Sequence, residues 1–350
     1  PRMTPMLSGA VFGAAHALVD LVTVSVAFAV ARIYGIPVVY GVSVVLLYDV
    51  IAFAGQAPIG AIVDRMGSWR MPAQLGIILI ALSVPLLEWS PLAAVVVTAL
   101  GNALFHVGAG ALSLQYAPGR AAIPGLFVAP GALGLGIATL LGKSQLFFPW
   151  PFTCFALLAF ALTCLPPLPA GEPRDKAAAG VPLAGLIGTL LLLSVAIRAL
   201  VGFGGPYACR MTVGVKVGLM LAAFAGKAAG GIVGDRFGWL STSVGALLLS
   251  LPLIAFLGHL PVALIAGFLL FQMTMPVTLT AVERLMPGRP GTAFGLACLA
   301  LIAGSLLAFS ELVQEWYSSG FFTALIAASA LSLWVSLRLL KPSVPTAFSP

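Results

Sequence analysis

The sequence predicts an all-α polytopic membrane protein with twelve transmembrane helices in two pseudo-symmetric six-helix bundles. Hydrophobic residues fill 61% of the 350 positions, charged residues only 8%, and the mean hydropathy is +1.11, whereas a soluble domain is about one quarter charged. The pattern Gly60-Ala-Ile-Val-Asp64-Arg65-Met-Gly67 returns 171 residues later as Gly231-Ile-Val-Gly-Asp235-Arg236-Phe-Gly238, which marks a doubled unit. A spanning helix needs roughly 20 apolar residues, so twelve fit tightly. Little sequence is left for an extramembrane domain.

Apolar runs punctuated by Gly, Pro and charge place the first six spans near 8–31, 38–62, 71–89, 92–115, 123–142 and 147–167. The second and third are separated by the first motif copy, and the fourth and fifth by Pro118-Gly119-Arg120. The polar stretch Ala170-Gly-Glu-Pro-Arg-Asp-Lys176 then interrupts the chain. Six further spans follow near 183–203, 212–234, 240–258, 261–282, 291–312 and 320–339, with the second motif copy after the eighth and Pro287-Gly288-Arg289 after the tenth. The expected organisation is a bundle over 1–168, a cytoplasmic loop over 169–182 and a second bundle over 183–350. Gly101-Asn-Ala-Leu-Phe105-His106 in the fourth span is echoed by Gly267-Phe-Leu-Leu-Phe271-Gln272 in the tenth, so the doubling extends beyond the motif.

The basic residues orient the chain. With both termini inside, Arg2, Arg65, Arg70, Arg120, Arg174, Lys176, Arg236, Arg284, Arg289, Arg338 and Lys341 fall on the inner side, against Arg32, Lys143 and Arg210 outside. That asymmetry is the positive-inside pattern, and it accounts for the net charge of +7 without a nucleic-acid partner. The four cysteines, Cys154, Cys164, Cys209 and Cys298, lack metal-ligand spacing and lie in or near apolar runs. The chain begins at Pro1, suggesting a processed start, and no cleavable signal peptide is read ahead of the first span.

Taken together, the repeated motif and twelve spans resemble the major facilitator superfamily, over the whole chain. Its members carry a Gly-x-x-x-Asp-Arg-x-Gly turn after the second helix of each bundle. Within it, His16-Ala-Leu-Val-Asp20, Phe105-His106 and the Gly-rich fifth span resemble the fosmidomycin-resistance exporters, although Val107-Gly108 stands where that group has Pro-Glu. The resemblance implies a bacterial inner-membrane transporter working by alternating access, with export or antiport as its mode. It also implies a conformational latch at Gly60, Asp64, Arg65 and Gly67, and again at Gly231, Asp235, Arg236 and Gly238. Gly125, Pro130, Gly131, Gly134 and Gly136 resemble part of the antiporter Gly-Pro signature, with altered spacing.

Ionisable residues at membrane depth are costly and are functional candidates by default. The first half carries His16 and Asp20, one helical turn apart, with Asp49 in the second span and His106 in the fourth. The second half carries Arg198, Lys216 and Lys227 and no deep acid. The repeat sets Gln56 against Lys227 and Asp49 against Met220, so these residues are departures from symmetry. Asp20, His16, Asp49 and His106 suit proton coupling, because a buried carboxyl and an imidazole can each change charge near neutral pH. Arg198, then Lys227 and Lys216, suit an anionic solute, with hydrogen bonds from Asn102, Gln272 and Tyr48. A blander reading pairs Asp20 with Arg198 and Asp49 with Lys227 as structural ion pairs. Glu311 and Glu315 are expected at the outer end of the eleventh span, and Glu283 and Arg284 in a cytoplasmic turn.

The expected function is therefore proton-coupled secondary transport of a small organic anion by a monomer in the lipid bilayer. No cofactor is expected. A second reading keeps the fold and makes His16, Asp20, Asp49 and His106 the N/O ligands of a divalent transition metal as cargo. An intramembrane enzyme is a remote third reading, since no nucleophile elbow, His-Glu-x-x-His site or phosphate-binding Gly loop is present.

Overall fold

The computed structural model describes residues 3–33, 38–142, 149–167 and 183–340. The predicted loop over 169–182 lies outside the described residues, as do Arg2, Lys143, Arg174, Lys176 and Lys341. The chain is an all-α polytopic membrane protein. Ten helices are long and apolar enough to cross a membrane, and two shorter apolar ones complete the twelve.

The first six are α1 (Pro5–Ile33), α2 (built from Val38–Asp49, Val50–Ala54 and Gln56–Met66), α3 (Arg70–Trp89), α4 (Pro91–Gln115), α5 (Ala122–Gly142) and α6 (Pro149–Cys164). The second six are α7 (Ala184–Gly204), α8 (Val213–Phe237), α9 (Trp239–Ala255), α10 (Pro261–Gln272 and Thr274–Arg284), α11 (Pro290–Ala308) and α12 (Ser319–Leu339). Proline at the start of α4, α10 and α11 fits a position whose N–H has no helical partner. Gly67, left-handed at φ 66°, ends α2, where only glycine adopts that conformation freely.

The two halves pack by one scheme. In the first, α1 lies against α5 and α6, and α3 against α4 and α6; in the second, α7 lies against α11 and α12, and α9 against α10 and α12. Between halves α5 meets α8 and α2 meets α11, the same contact repeated by the pseudo-twofold. Close approach depends on small residues, since lipid gives helices no hydrophobic drive to associate. At the α3–α4 crossing a Cβ on Gly76 would strike the Gly101 carbonyl, and one on Gly101 would strike Gly76.

Two helices are irregular at membrane depth. A π segment, Val50–Ala54, follows Asp49 in α2, and α10 breaks at Met273, whose N–H bonds to Leu270 O at 3.1 Å. Such breaks are tolerated where backbone is enclosed by protein, and they tend to mark binding sites. The eleventh span ends earlier than the sequence suggests, at Ala308. Glu311 begins a separate one-turn helix, Glu311–Gln314, and Glu315 follows it, so neither acid lies in the span.

Candidate functional site

Each motif copy places a carboxylate against the free N-terminus of a helix from the other half. Asp64 Oδ1 accepts from Gly291 N at 2.9 Å, and its Oδ2 accepts from Thr292 N and Thr292 Oγ1, both at 2.7 Å. Asp235 accepts from Ala121 N and Ala122 N, both at 2.9 Å. The indole of Trp69 donates to Asp64 at 3.1 Å and that of Trp239 to Asp235 at 3.0 Å. The first turn of a helix has unsatisfied N–H groups and a positive dipole end, so a carboxylate is its natural partner. Glycine permits the approach: a Cβ on Gly60 would collide with Gly291, and one on Gly231 with Ala121 and Ala122. Arg65, Arg236 and Gly238 are exposed beside these caps. Two further bonds join the halves at this motif end, Gln115 to Glu283 and Arg284 to the Gly119 carbonyl, both 3.4 Å.

The centre is built differently. His16, Asp20 and His106 converge from the middle of α1 and α4, and their ligand atoms all lie within 4.8 Å of one another. His16 Nε2 is 3.1 Å from Asp20 Oδ2, His106 Nε2 is 3.5 Å from Asp20 Oδ1, and the two Nε2 atoms are 2.8 Å apart. Each imidazole is anchored through Nδ1, that of His16 at 2.9 Å from Phe127 O and that of His106 at 2.9 Å from Asn102 O. Both rings are buried, while Asp20 keeps partial exposure. Phe105, Phe127 and Phe294 surround the pair, Phe294 reaching in from α11.

Around Asp20 a polar chain runs along the first half. Asn102 Nδ2 donates to Asp20 Oδ1 at 3.3 Å and to Thr23 Oγ1 at 3.2 Å, and Tyr48 donates to Thr23 at 2.8 Å. From the second half, Lys227 lies close enough to Asp20 and His106 to interact with them electrostatically, and Cys298 does the same with Asp20 and Lys227. Gln272 stands at the break in α10, against Gly226, the residue before Lys227.

The structure separates other predicted residues from this cluster. Asp49 falls outside the group of converging donors, so three of the four residues of the metal set come together. Arg198 is not paired with Asp20. Its guanidinium is buried between α7 and α10, where Nε donates to Ser194 O at 3.1 Å, NH1 to Thr274 Oγ1 and NH2 to Thr278 Oγ1 at 2.9 Å. No carboxylate pairs with it among the described residues. Lys216 lies in the first turn of α8, three turns before Lys227.

No protein-family model matches the chain, and no curated protein matches it in sequence. Solved structures do match. The E. coli fucose:proton symporter FucP aligns with a TM-score of 0.71 at 13% identity, over 97% of this chain and 99% of that one. In its outward conformation FucP, described as a major facilitator superfamily transporter, aligns with a TM-score of 0.68 at 15% identity, over 95% and 99%. The fold is that of the major facilitator superfamily. The human organic anion transporter MFSD10 aligns at 0.71 and 17% identity over 97% and 100% of the two chains.

Within the major facilitator fold, the caps sit where the two six-helix halves meet, and the His-Asp cluster sits on the first half facing the second. Some contributions to this site carry no chemical label in the sequence. Phe127 acts through its backbone carbonyl, and Asn102, besides the side chain that the sequence singled out, adds its own carbonyl. A Cβ on Gly131 would enter the His16 ring, so this glycine makes the room that His16 occupies. Only the Gly-Pro pattern of the fifth span hinted at it.

Proposed function

We propose that the protein is a proton-coupled secondary transporter that moves a small organic anion by alternating access. One observation carries the reading: the converging Asp20–His16–His106 cluster of the first half lies within electrostatic reach of Lys227 on the second half. Groups that can exchange a proton and a fixed cation then share one site that spans both moving parts. Arg198 supplies a second buried cation with spare N–H donors and no carboxylate partner among the described residues. The same fold serves a fucose:proton symporter and an organic anion transporter, so both elements of the proposal have precedent within it.

In this reading the motif end faces the cytoplasm, as the basic residues indicate. The Asp64 and Asp235 caps hold that side shut while the halves open on the other. Rocking breaks both caps together, and the first-half cluster and Lys227 separate or re-form on the new side. The divalent-metal alternative is less well supported. Asp49 does not join the donors, and the Lys227 ammonium within electrostatic reach of the site opposes a doubly charged cation.

Flux into proteoliposomes tests the proposal, using a panel of organic anions and, in parallel, radiolabelled manganese, iron and zinc under an imposed pH gradient. Gradient-driven accumulation of an anion, lost in Asp20→Asn, is the expected result. Accumulation of a metal alone would transfer the site to the metal reading.

A further inference from the structure

Resting on the transport reading above, we infer that the solute is a hydroxylated organic anion, and that Asn102 recognises its hydroxyl group. Within the central polar chain one atom has no partner. Asn102 is only 2% exposed, and its Nδ2 donates to Asp20 Oδ1 at 3.3 Å and to Thr23 Oγ1 at 3.2 Å, but its Oδ1 is buried and meets no donor. The orientation of the amide follows from its neighbour: turned over, it would set Oδ1 against the Asp20 carboxylate, acceptor against acceptor. Tyr48 lies within reach of the same amide but gives its hydrogen to Thr23 at 2.8 Å. A buried hydroxyl can rotate toward a partner, whereas an amide oxygen whose NH2 is held has no such freedom. Leaving it bare costs the desolvation penalty of the group. A donor from the solute meets that need.

The repeat gives this acceptor a donor in the corresponding place. α1 and α4 of the first half correspond to α7 and α10 of the second, as the first and fourth helices of each bundle. Asp20 and Asn102 join the first pair, and Arg198 with Thr274 and Thr278 joins the second. One crossing thus holds acceptors, and its mate holds a cation. Arg198 donates once each through Nε, NH1 and NH2, which leaves a second N–H on NH1 and on NH2 for an anion. A solute that touches both halves therefore meets N–H donors on the second. On the first it meets the partly exposed Asp20 carboxylate beside the bare Asn102 oxygen. A carboxylate at Arg198 and a hydroxyl at Asn102 satisfy both, whereas a plain carboxylate satisfies one. A cation on Asn102 Oδ1 is opposed by Lys227, which interacts electrostatically with Asp20 and His106 in the same polar chain.

Paired ligands test this on the full-length protein in nanodiscs, in sodium-free Tris buffer passed over chelating resin, with binding read by calorimetry. Glycolate is compared with acetate, 4-hydroxybutyrate with butyrate and 6-hydroxyhexanoate with hexanoate, with gluconate added as a polyhydroxylated anion. In at least one pair the hydroxylated member should bind roughly 5- to 150-fold more tightly, the fold-change that an unpaired buried acceptor implies. Asn102→Ala, or Asn102→Ser where the alanine variant does not fold, should bring that ratio close to one; a merely structural role would weaken both members alike. Equal affinities within every pair, or a ratio that survives the substitution, would overturn the hydroxyl site and leave the anion carrier standing. Binding of sodium, manganese or zinc alone, lost in the same variants, would make Asn102 Oδ1 a cation ligand and overturn it as well. Binding of none of these anions would remove the anion reading and this inference together.

Discussion

The motif end and the centre of this molecule were made from the same duplicated unit and have diverged to different degrees. At the motif end each half contributes the same parts: an aspartate, a tryptophan on that aspartate, a glycine at the crossing, and the exposed helix N-terminus of the other half. At the centre the first half contributes His16, Asp20 and His106, and the second contributes Lys227 and Arg198, with nothing matched across the pseudo-twofold. In the proposed mechanism rocking is a symmetric task and recognition is not: two like contacts can open and close in step, whereas a site for one solute and one proton has no use for a second copy of each group.

Removing the charge on one side of the centre gives the largest expected effect. Asp20→Asn should reduce pH-driven accumulation to the level of protein-free vesicles, because the carboxylate that both histidines approach is lost. Retained coupling would break the assignment of the centre to proton movement. Next, Arg198→Ala removes charge-assisted hydrogen bonds worth about 1.5–3 kcal/mol each. Affinity for the transported anion should then fall roughly 10- to 100-fold, read by competition binding, with the melting temperature less affected than in Gly131→Ala. Equal affinity in both proteins would leave the asymmetry of charge without a role in recognition.

Gly131→Ala forces a methyl into the His16 ring, and overpacking of this kind costs about 1–3 kcal/mol. A lowered melting temperature together with impaired transport is expected, and a silent substitution would show that the His16 position is not fixed by α5. The smallest effects should come from the caps. Asp64→Asn and Asp235→Asn each weaken a trans cap by about 1 kcal/mol, a shift of roughly fivefold toward opening of the motif end, measured by cysteine accessibility beside Gly67 or Gly238. Equal shifts would show the two caps to be equivalent; a large effect at one and none at the other would show that one of them alone holds the motif end.

The fold was legible because lipid imposes length and composition on every spanning segment, and because duplication wrote the same turn twice. What escaped were features decided by packing: the break in α10 at Met273, and the early end of α11 that puts Glu311 and Glu315 outside the span. At the site, the cost of charge in lipid singled out Asp20, His106 and Arg198 one by one. Their partners could not be read in the same way. The carbonyls of Phe127 and Asn102 belong to the backbone and have no residue-type signature, and Gly131 matters for a methyl it lacks. The simple pairing of opposite charges placed Asp20 with Arg198, but the structure sets Asp20 beside His16 and His106 and satisfies Arg198 with threonine hydroxyls.

The trans caps have a consequence for the barrier to motion. Each carboxylate and each N–H that parts on opening emerges at a wetted helix end, where water replaces the lost bond at nearly equal strength. Closure therefore exchanges one hydration for another rather than storing a large binding energy. Gates of this kind hold by geometry and number rather than by any one strong bond.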